Sequence, residues 1–343
     1  MPAPFNQAAR QGGWLGRGVK LAIGLVISVA FLYATLRAVP FSKVMDALAA
    51  ARPEWILASL AFVALDYVLK VWRWVTMLRS LGSTVRLRQA AVPFLGGVAF
   101  NNVLPFRAGD VIRVVAFQRF TGIPASGQIG TLVLERLLDL FVLMAFLFTT
   151  VTFLETDVLD EALLAGLKIA ALAVAGAILI FIAAPHSIRL VVRSIEARIP
   201  RLRPAGEALL RLSDAVATLS RPMFIVRVTA LSILAWLAEG GAFFAVGMAL
   251  GVAATPEAAL LALSVGTLST IIPSSPGYVG TFHYFTARTL SGFGASQVGA
   301  TAYAILIHAI LWLSITTTGF LLLALSGLSK RQPIVGHTAP STD

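Results

Sequence analysis

Apolar residues run along this chain in long, nearly unbroken stretches, and polar residues gather between the stretches rather than alternating within them. A helix needs roughly 20 such residues to cross about 30 Å of hydrocarbon. Six stretches meet that length: Val19 to Val39, Trp55 to Leu78, Gly127 to Phe153, Leu163 to Ala184, Phe224 to Gly251 and Val298 to Ser326. Two more, about residues 90–118 and 258–288, are interrupted near their middles by Pro and Gly, at residues 101–110 and 272–280. Each half holds about 14 residues, or roughly 21 Å of helix, too short to span. The pattern predicts two helix-break-helix hairpins that enter and leave on one side, an arrangement tolerated where the broken backbone is buried in protein or lines a cavity. The expected fold class is an all-α polytopic membrane protein with about six full transmembrane helices plus two re-entrant hairpins, eight apolar segments in all.

Composition agrees with the pattern and removes alternatives. The 343 residues are 58% hydrophobic and 13% charged, with a mean hydropathy of +0.86. A soluble domain carries about 25% charged residues, and 43 here are too few for a polar shell. With no cysteine, disulfide scaffolds, thiolate metal sites and redox dithiols are excluded. Basic residues ahead of the first apolar run resemble a secretory signal. The run exceeds a usual signal core and no small-residue cleavage site follows, so a retained anchor is expected.

The net charge of +11 suggests nucleic acid in a soluble protein and topology in a membrane protein. Its distribution decides. One side collects Arg10, Arg17 and Lys20; Arg79, Arg86, Arg88 and Arg119; Arg189, Arg193, Arg198, Arg201, Arg203, Arg211 and Arg221; and Lys330 with Arg331. The other side holds Arg37, Lys43 and Arg52 and an acidic stretch at residues 155–161. By the positive-inside rule both termini are expected in the cytoplasm, in a bacterial inner membrane, with no nucleic-acid partner. The layout is a tail at 1–18, a membrane domain at 19–328 and a tail at 329–343. Within the domain a first repeat covers about 55–153, a linker helix 163–184, a basic loop 185–222 and a second repeat about 224–326. Ile188, Val191, Val192 and Ile195, with arginines between them, suggest an interfacial helix on anionic lipid.

The repeats emerge when the chain is slid on itself by 168 to 170 residues. Leu81-Gly82 then meets Leu250-Gly251, Pro105 meets Pro273, Gly109 meets Gly277, Phe117 meets Phe285, and Gln128-Ile129-Gly130 meets Gln297-Val298-Gly299. Each unit makes an even number of crossings and one helix joins them, so the second starts on the opposite side. Inverted repeats bring the two hairpin tips together near the midplane.

Charges inside the apolar segments are costly, about 2.5–3.5 kcal/mol each at a helix centre, and must face protein or water. Asp66, Lys70 and Arg73 share one helical face, as a buried salt bridge that fixes helix packing or with Lys70 and Arg73 snorkelling to the interface. Glu135, Arg136 and Asp139 form a second cluster, either a self-neutralising latch or a solvent-linked site. At the first break, Asn101 and Asn102 are suited to capping exposed backbone. Arg107, Asp110 and Arg113 concentrate charge where a half-helix begins, a place that suits an anion or holds a loop together by its own ion pairs. The second break offers Pro273, Ser274, Ser275 and Gly277, followed by His283, and carries no charge. His308 aligns with Asp139 in the repeat, although a lone intramembrane His is more often a helix-helix hydrogen-bonding group. Nucleotide, hydrolase and metal-sugar signatures are missing, so no catalytic residue, metal or cofactor is predicted.

Asn101-Asn102-x-Leu104-Pro105-x-Arg107-x-Gly109-Asp110-x-x-Arg113, then Glu135-Arg136-Leu137-Leu138-Asp139, then Pro273-x-x-Pro276-Gly277-x-x-Gly280 resemble the lysylphosphatidylglycerol synthase transmembrane region, also called the flippase-like (YbhN/UPF0104) family. The resemblance covers about residues 15–330. It implies handling of a polar, anionic lipid. The family's soluble aminoacyl-transferase domain is not found in this sequence, which points away from synthase activity. Family members commonly carry a Glu where His283 stands, which hints at pH-dependent behaviour or a different headgroup. Translocation of an anionic lipid is the leading expectation, with membrane lipids as partners. A small-solute permease, or a non-catalytic partner of a lipid-modifying enzyme, remains open, and the oligomeric state is not legible.

Overall fold

The computed structural model describes residues 8–37, 39–153, 161–199, 201, 203–252 and 255–326. Residues 1–7 of the expected tail at 1–18, the whole of the expected tail at 329–343, and the acidic stretch through residue 160 lie outside them, whereas residues 8–18 are helical. The described residues are helical with short connections and no strand. Their surface is inverted relative to a soluble protein: Leu172 and Ile180 are 73% and 70% exposed, whereas Asp66, Arg73 and Glu135 are 0%, 1% and 2% exposed. Apolar groups outward and charges inward is the distribution a hydrocarbon solvent imposes. The chain is an all-α polytopic membrane protein.

Among the described residues, four helices are by length and composition able to cross a bilayer: α3 (Pro53–Ser80), residues Lys168–Ile195 of α8 (Glu161–Arg198), α10 (Pro222–Leu250) and α13 (Gln297–Leu325). α7 (Ala125–Phe153) has the same 29-residue length as α10 and α13 but carries Glu135, Arg136 and Asp139. α1 (Ala8–Leu36) covers most of the first expected crossing and is followed by a short amphipathic helix, α2 (Phe41–Ala49), packed on α13.

Both expected breaks are present. α4 (Leu87–Val103) stops before a single 3-10 turn at Pro105–Arg107, and α5 (Ala108–Ala116) returns. α11 (Pro256–Ser269) stops before a similar turn at Pro276–Tyr278, and α12 (Thr281–Gly292) returns. Phe106, Arg107 and Tyr278 have φ of 59°, 51° and 59°, left-handed values that side-chain-bearing residues seldom adopt. The two tips are thus strained at corresponding places.

The repeat offset recurs in the helix boundaries. α3 and α10 both begin with proline at the first turn, Pro53 and Pro222, where a missing N–H costs nothing. Both end at a glycine of positive φ, Gly82 at 97° and Gly251 at 63°, which closes the helix as other residues resist doing. α3 and α10 pack along their lengths: Arg52 N donates to Ala249 O (2.9 Å), Ser59 Oγ to Ala242 O (3.1 Å), Lys70 Nζ to Glu239 (2.6 Å) and Arg73 Nη1 to Ser232 Oγ (2.7 Å). Rising numbers on one helix meet falling numbers on the other, so equivalent helices run antiparallel. That is the signature of inverted repeats. Lys70 and Glu239 are 169 positions apart and touch, which places them beside the pseudo-two-fold axis. Exchanging the units carries α4 on α13 into α11 on α7, and both packings exist.

The segment at 185–222, expected as a basic loop with a separate interfacial helix, is almost entirely helical. α8 continues through Pro185 to Arg198, so Ile188 to Ile195 belong to its C-terminal part. α9 (Arg203–Leu219) folds back onto α7 and α8, with Ser213 Oγ donating to Pro185 O (3.1 Å) and Arg189 pairing with Asp214 (2.7 Å). Of the amphipathic face that apolar spacing revealed, Val192 is buried within the protein, whereas Val191 and Ile195 are exposed.

Candidate functional site

The two hairpin tips and α3, α7, α10 and α13 enclose a cavity of about 200 Å³. Lys70, Arg73, Arg107, Glu135, Arg136, Asp139, Glu239 and His308 line it, together with Asn101, Asn102, Gly277, Tyr278 and an aromatic wall of Tyr67, Phe94, Trp236, Phe282 and Trp312. Arg107 is exposed, so the cavity reaches the surface at the first tip.

Helical spacing on each element sets the charges inward. Lys70 Nζ lies between Asp66 Oδ2 (2.9 Å) and Glu239 Oε2 (2.6 Å), over the Trp236 ring at 4.2 Å. Arg73 Nη1 donates to Asp139 Oδ1 (2.7 Å), which also accepts from Trp236 Nε1 (3.0 Å). Arg136 reaches Glu135 (3.0 Å), Asp110 (3.5 Å) and Asp139 (3.6 Å). Arg113 binds Glu135 (3.1 Å) and stacks over Phe94 and Trp74. Most of these buried charges are thus paired, as low-dielectric surroundings require, while neither oxygen of Asp66 has a hydrogen-bond partner among the described residues. Five cations (Lys70, Arg73, Arg107, Arg113, Arg136) stand against five acids (Asp66, Asp110, Glu135, Asp139, Glu239). One cation differs from the rest: Arg107 donates to Tyr278 Oη (3.2 Å) across the two tips and has no acid within ion-pair distance among the described residues.

The first hairpin carries its own clasp. Asn101 Oδ1 accepts from Asp110 N (3.1 Å) and Asn101 Nδ2 donates to Asp110 Oδ1 (2.9 Å), so a residue of α4 caps the start of α5. Gly109 permits this closeness: a Cβ there would overlap the Gly97 carbonyl oxygen. Asn102 instead ties the tip to α13, donating to Thr316 Oγ1 (2.9 Å) and accepting from Trp312 Nε1 (3.3 Å).

The residues singled out in the sequence therefore divide. Asn101, Asn102, Arg107, Glu135, Arg136, Asp139 and Gly277 line the cavity. Asp110 supports it from behind, through Asn101 and Arg136. Arg113 is buried and committed to Glu135, away from the lining, so it braces α5 against α7. Pro273 is exposed, and Ser274 and Ser275 turn toward α1, where Ser28 Oγ accepts from Ser275 N (2.7 Å). His283 is one step removed: its Nδ1 accepts from Gly280 N (3.3 Å), and its Nε2 faces His308 Nδ1 (3.2 Å). His308 Nε2 meets Gly277 O (2.8 Å). With the first link accepting and the last donating, both rings are neutral Nε2–H tautomers in one directed chain. Their 25-residue separation hid this pair from any local spacing rule. Lys70, Arg73, Glu239, Tyr278 and the aromatic wall were likewise not singled out as site residues. The 169-residue offset carries the one usable signal, since it aligns Lys70 with Glu239. Among the described residues no His, Cys, Asp and Glu cluster is arranged to hold a metal ion.

Sequence comparison places this geometry in a family. The lysylphosphatidylglycerol synthase TM region matches residues 21–319, and the chain belongs to that family. It is similar to Glycosyltransferase AglD of Haloferax volcanii, 27% identical over 332 residues, covering 86% of this chain and 52% of the relative. It is also similar to a UPF0104 membrane protein of Methanocaldococcus jannaschii, 26% identical over 151 residues, covering 41% of this chain and 45% of the relative. The chain thus spans about half the length of the relatives it matches.

Proposed function

We propose that this member of the lysylphosphatidylglycerol synthase TM region family translocates a polar, anionic lipid. The observation that carries the reading is Arg107, a cation with no acidic partner among the described residues, at the mouth of a cavity between two hairpin tips. Every other cation there is already paired, so an incoming phosphate has one guanidinium to bind without breaking an ion pair. Size supports a headgroup rather than a whole lipid: about 200 Å³ holds roughly seven waters at about 30 Å³ each, below the 300–1,000 Å³ of drug-sized sites. The tails stay in hydrocarbon while the headgroup passes between the tips. In this reading the chain makes and breaks no covalent bond, and it sits in a cytoplasmic membrane with both termini inside.

The test places purified protein in phosphatidylcholine vesicles containing acyl-labelled phosphatidylglycerol and follows leaflet exchange by quenching. Arg107→Ala should slow exchange about tenfold or more, the loss of one charge-assisted contact, with melting unchanged. Rates equal to protein-free vesicles for every anionic lipid tried would sink the reading.

One finding favours a second reading. A relative named as a glycosyltransferase is about twice as long as its matched part, so the chain is also suited to serve a lipid-modifying enzyme as a membrane partner. A stable co-purifying enzyme, with no lipid movement by the chain alone, would favour it.

A further inference from the structure

We propose that Asp66 and Glu239, bridged by Lys70 where the two repeats meet, form a proton-binding site that loads one proton for each anionic headgroup moved. The inference rests on the translocase reading and supplies its coupling ion.

Charge balance is the first ground. The five cations and five acids of the cluster cancel when all are ionised. One bound phosphodiester leaves the buried site with a net negative charge, which a low-dielectric interior penalises. A proton taken up with the anion restores neutrality.

The second ground is that one acid is unlike the others. Glu239 accepts from Lys70, Asp139 from Arg73 and Trp236, Glu135 from Arg113 and Arg136, and Asp110 from Asn101. Asp66 is completely buried, and neither carboxylate oxygen has a hydrogen-bond partner among the described residues. Lys70 Nζ is 2.9 Å from its Oδ2 but lies out of line, donating to Glu239 instead. One ammonium is thus shared between two buried carboxylates, of which Glu239 holds the hydrogen bond, so the incoming proton resides on Asp66 as an O–H. The ammonium of Lys70 already fills the space between the two acids, which leaves room for a proton and none for a metal cation.

The surroundings of Asp66 are otherwise accounted for. Tyr67 and Lys70 lie on its own helix, Glu239 comes from α10 and Asp139 from α7, and His308 of α13 borders the same cavity. The charged groups of α4 and α9, the other helices on α3, are Arg88, Arg203, Glu207, Arg211 and Asp214, all exposed. Position completes the argument. Lys70 and Glu239 face the cavity beside the pseudo-two-fold axis, so the proton sits where one repeat must move against the other.

The experiment uses the full chain in phosphatidylcholine vesicles with acyl-labelled phosphatidylglycerol and an entrapped pH dye. One-to-one cotransport is electroneutral. A transmembrane difference of one pH unit should therefore drive about a tenfold leaflet asymmetry of the labelled lipid, accompanied by proton movement, and a potassium diffusion potential should have no effect. Asp66→Asn should exchange lipid without following the pH gradient, whereas Asp214→Asn at the surface should behave as the unmodified chain. Lipid exchange by the unmodified chain that ignores the pH gradient, or follows a sodium gradient, overturns the proton site and leaves the translocase reading standing. No exchange by the unmodified chain overturns both. If Asp66→Asn fails to fold, the gradient and potential measurements on the unmodified chain decide alone.

Discussion

The two hairpins occupy equivalent places in the repeats yet solve the same problem with different chemistry. Each must break a helix inside hydrocarbon and satisfy the freed backbone. The first does it with side-chain amides and charge: Asn101 caps α5, Asp110 answers Asn101, and Arg136 reaches Asp110 from α7. The second does it with neutral groups: His283 accepts the Gly280 N–H, and His308 closes on the Gly277 carbonyl. Fold symmetry is preserved while charge is confined to one side, and the one cavity-lining cation without an acidic partner among the described residues, Arg107, projects from the charged tip toward Tyr278 of the neutral one. Duplication supplied two scaffolds, and divergence left one tip charged and the other neutral.

That contrast is open to attack, and the sharpest blow falls on the charged side. Arg73→Ala removes the nearest cation from the buried Asp139 and should destabilise by about 3 kcal/mol, as broken buried ion pairs do, read as a lowered melting temperature in detergent. Replacing Arg73 and Asp139 together with Met and Leu should recover most of the loss; if it does not, the pair holds more than its own charges. A smaller effect is expected at the neutral tip. His308→Ala leaves the His283 Nε2–H and the Gly277 carbonyl without partners and should cost about 1–3 kcal/mol. A loss as large as that of Arg73→Ala would show that the two hairpins are not as unlike as their charges suggest. The smallest change in stability belongs to Arg107→Ala. An exposed side chain without an ion-pair partner should move stability within about 0.5 kcal/mol, while lipid exchange collapses. Equal losses of stability and exchange would make Arg107 a structural residue.

Much of this architecture is written in local signals. Pro105, Gly109, Pro276, Gly277 and Gly280 announce the breaks because bilayer-buried backbone turns need residues that lack an N–H or tolerate positive φ. Leu81-Gly82 and Leu250-Gly251 announce the repeat because each marks a helix end. The partners of the charges were less legible. Helical spacing put Asp66 next to Lys70, but the stronger partner, Glu239, comes from the equivalent helix of the other repeat. Arg113 looked like an anion ligand because it follows the break, yet the turn geometry of α5 directs it to Glu135. Ser274 and Ser275 looked like a polar mouth, yet their hydroxyls bond within the second hairpin, to Thr281 and the Val279 carbonyl, while their backbone packs on α1, where Gly24 approaches so closely that a Cβ would lie 2.9 Å from the Ser274 carbonyl oxygen. Spacing along one helix gives the face a residue occupies, and only three-dimensional packing gives its partner.

The contact between Lys70 and Glu239 has a consequence for ancestry. In a strict two-fold dimer built from a single unit, the residue beside the axis meets its own copy, because such interfaces are self-complementary. That position would then set lysine against lysine or glutamate against glutamate, two like charges pressed together in a medium that screens them poorly. Opposite charges become available there only once the two halves are encoded separately and free to differ. The ion pair at the centre of this molecule is therefore a product of divergence after duplication, which no pair of identical subunits could have acquired by a single substitution.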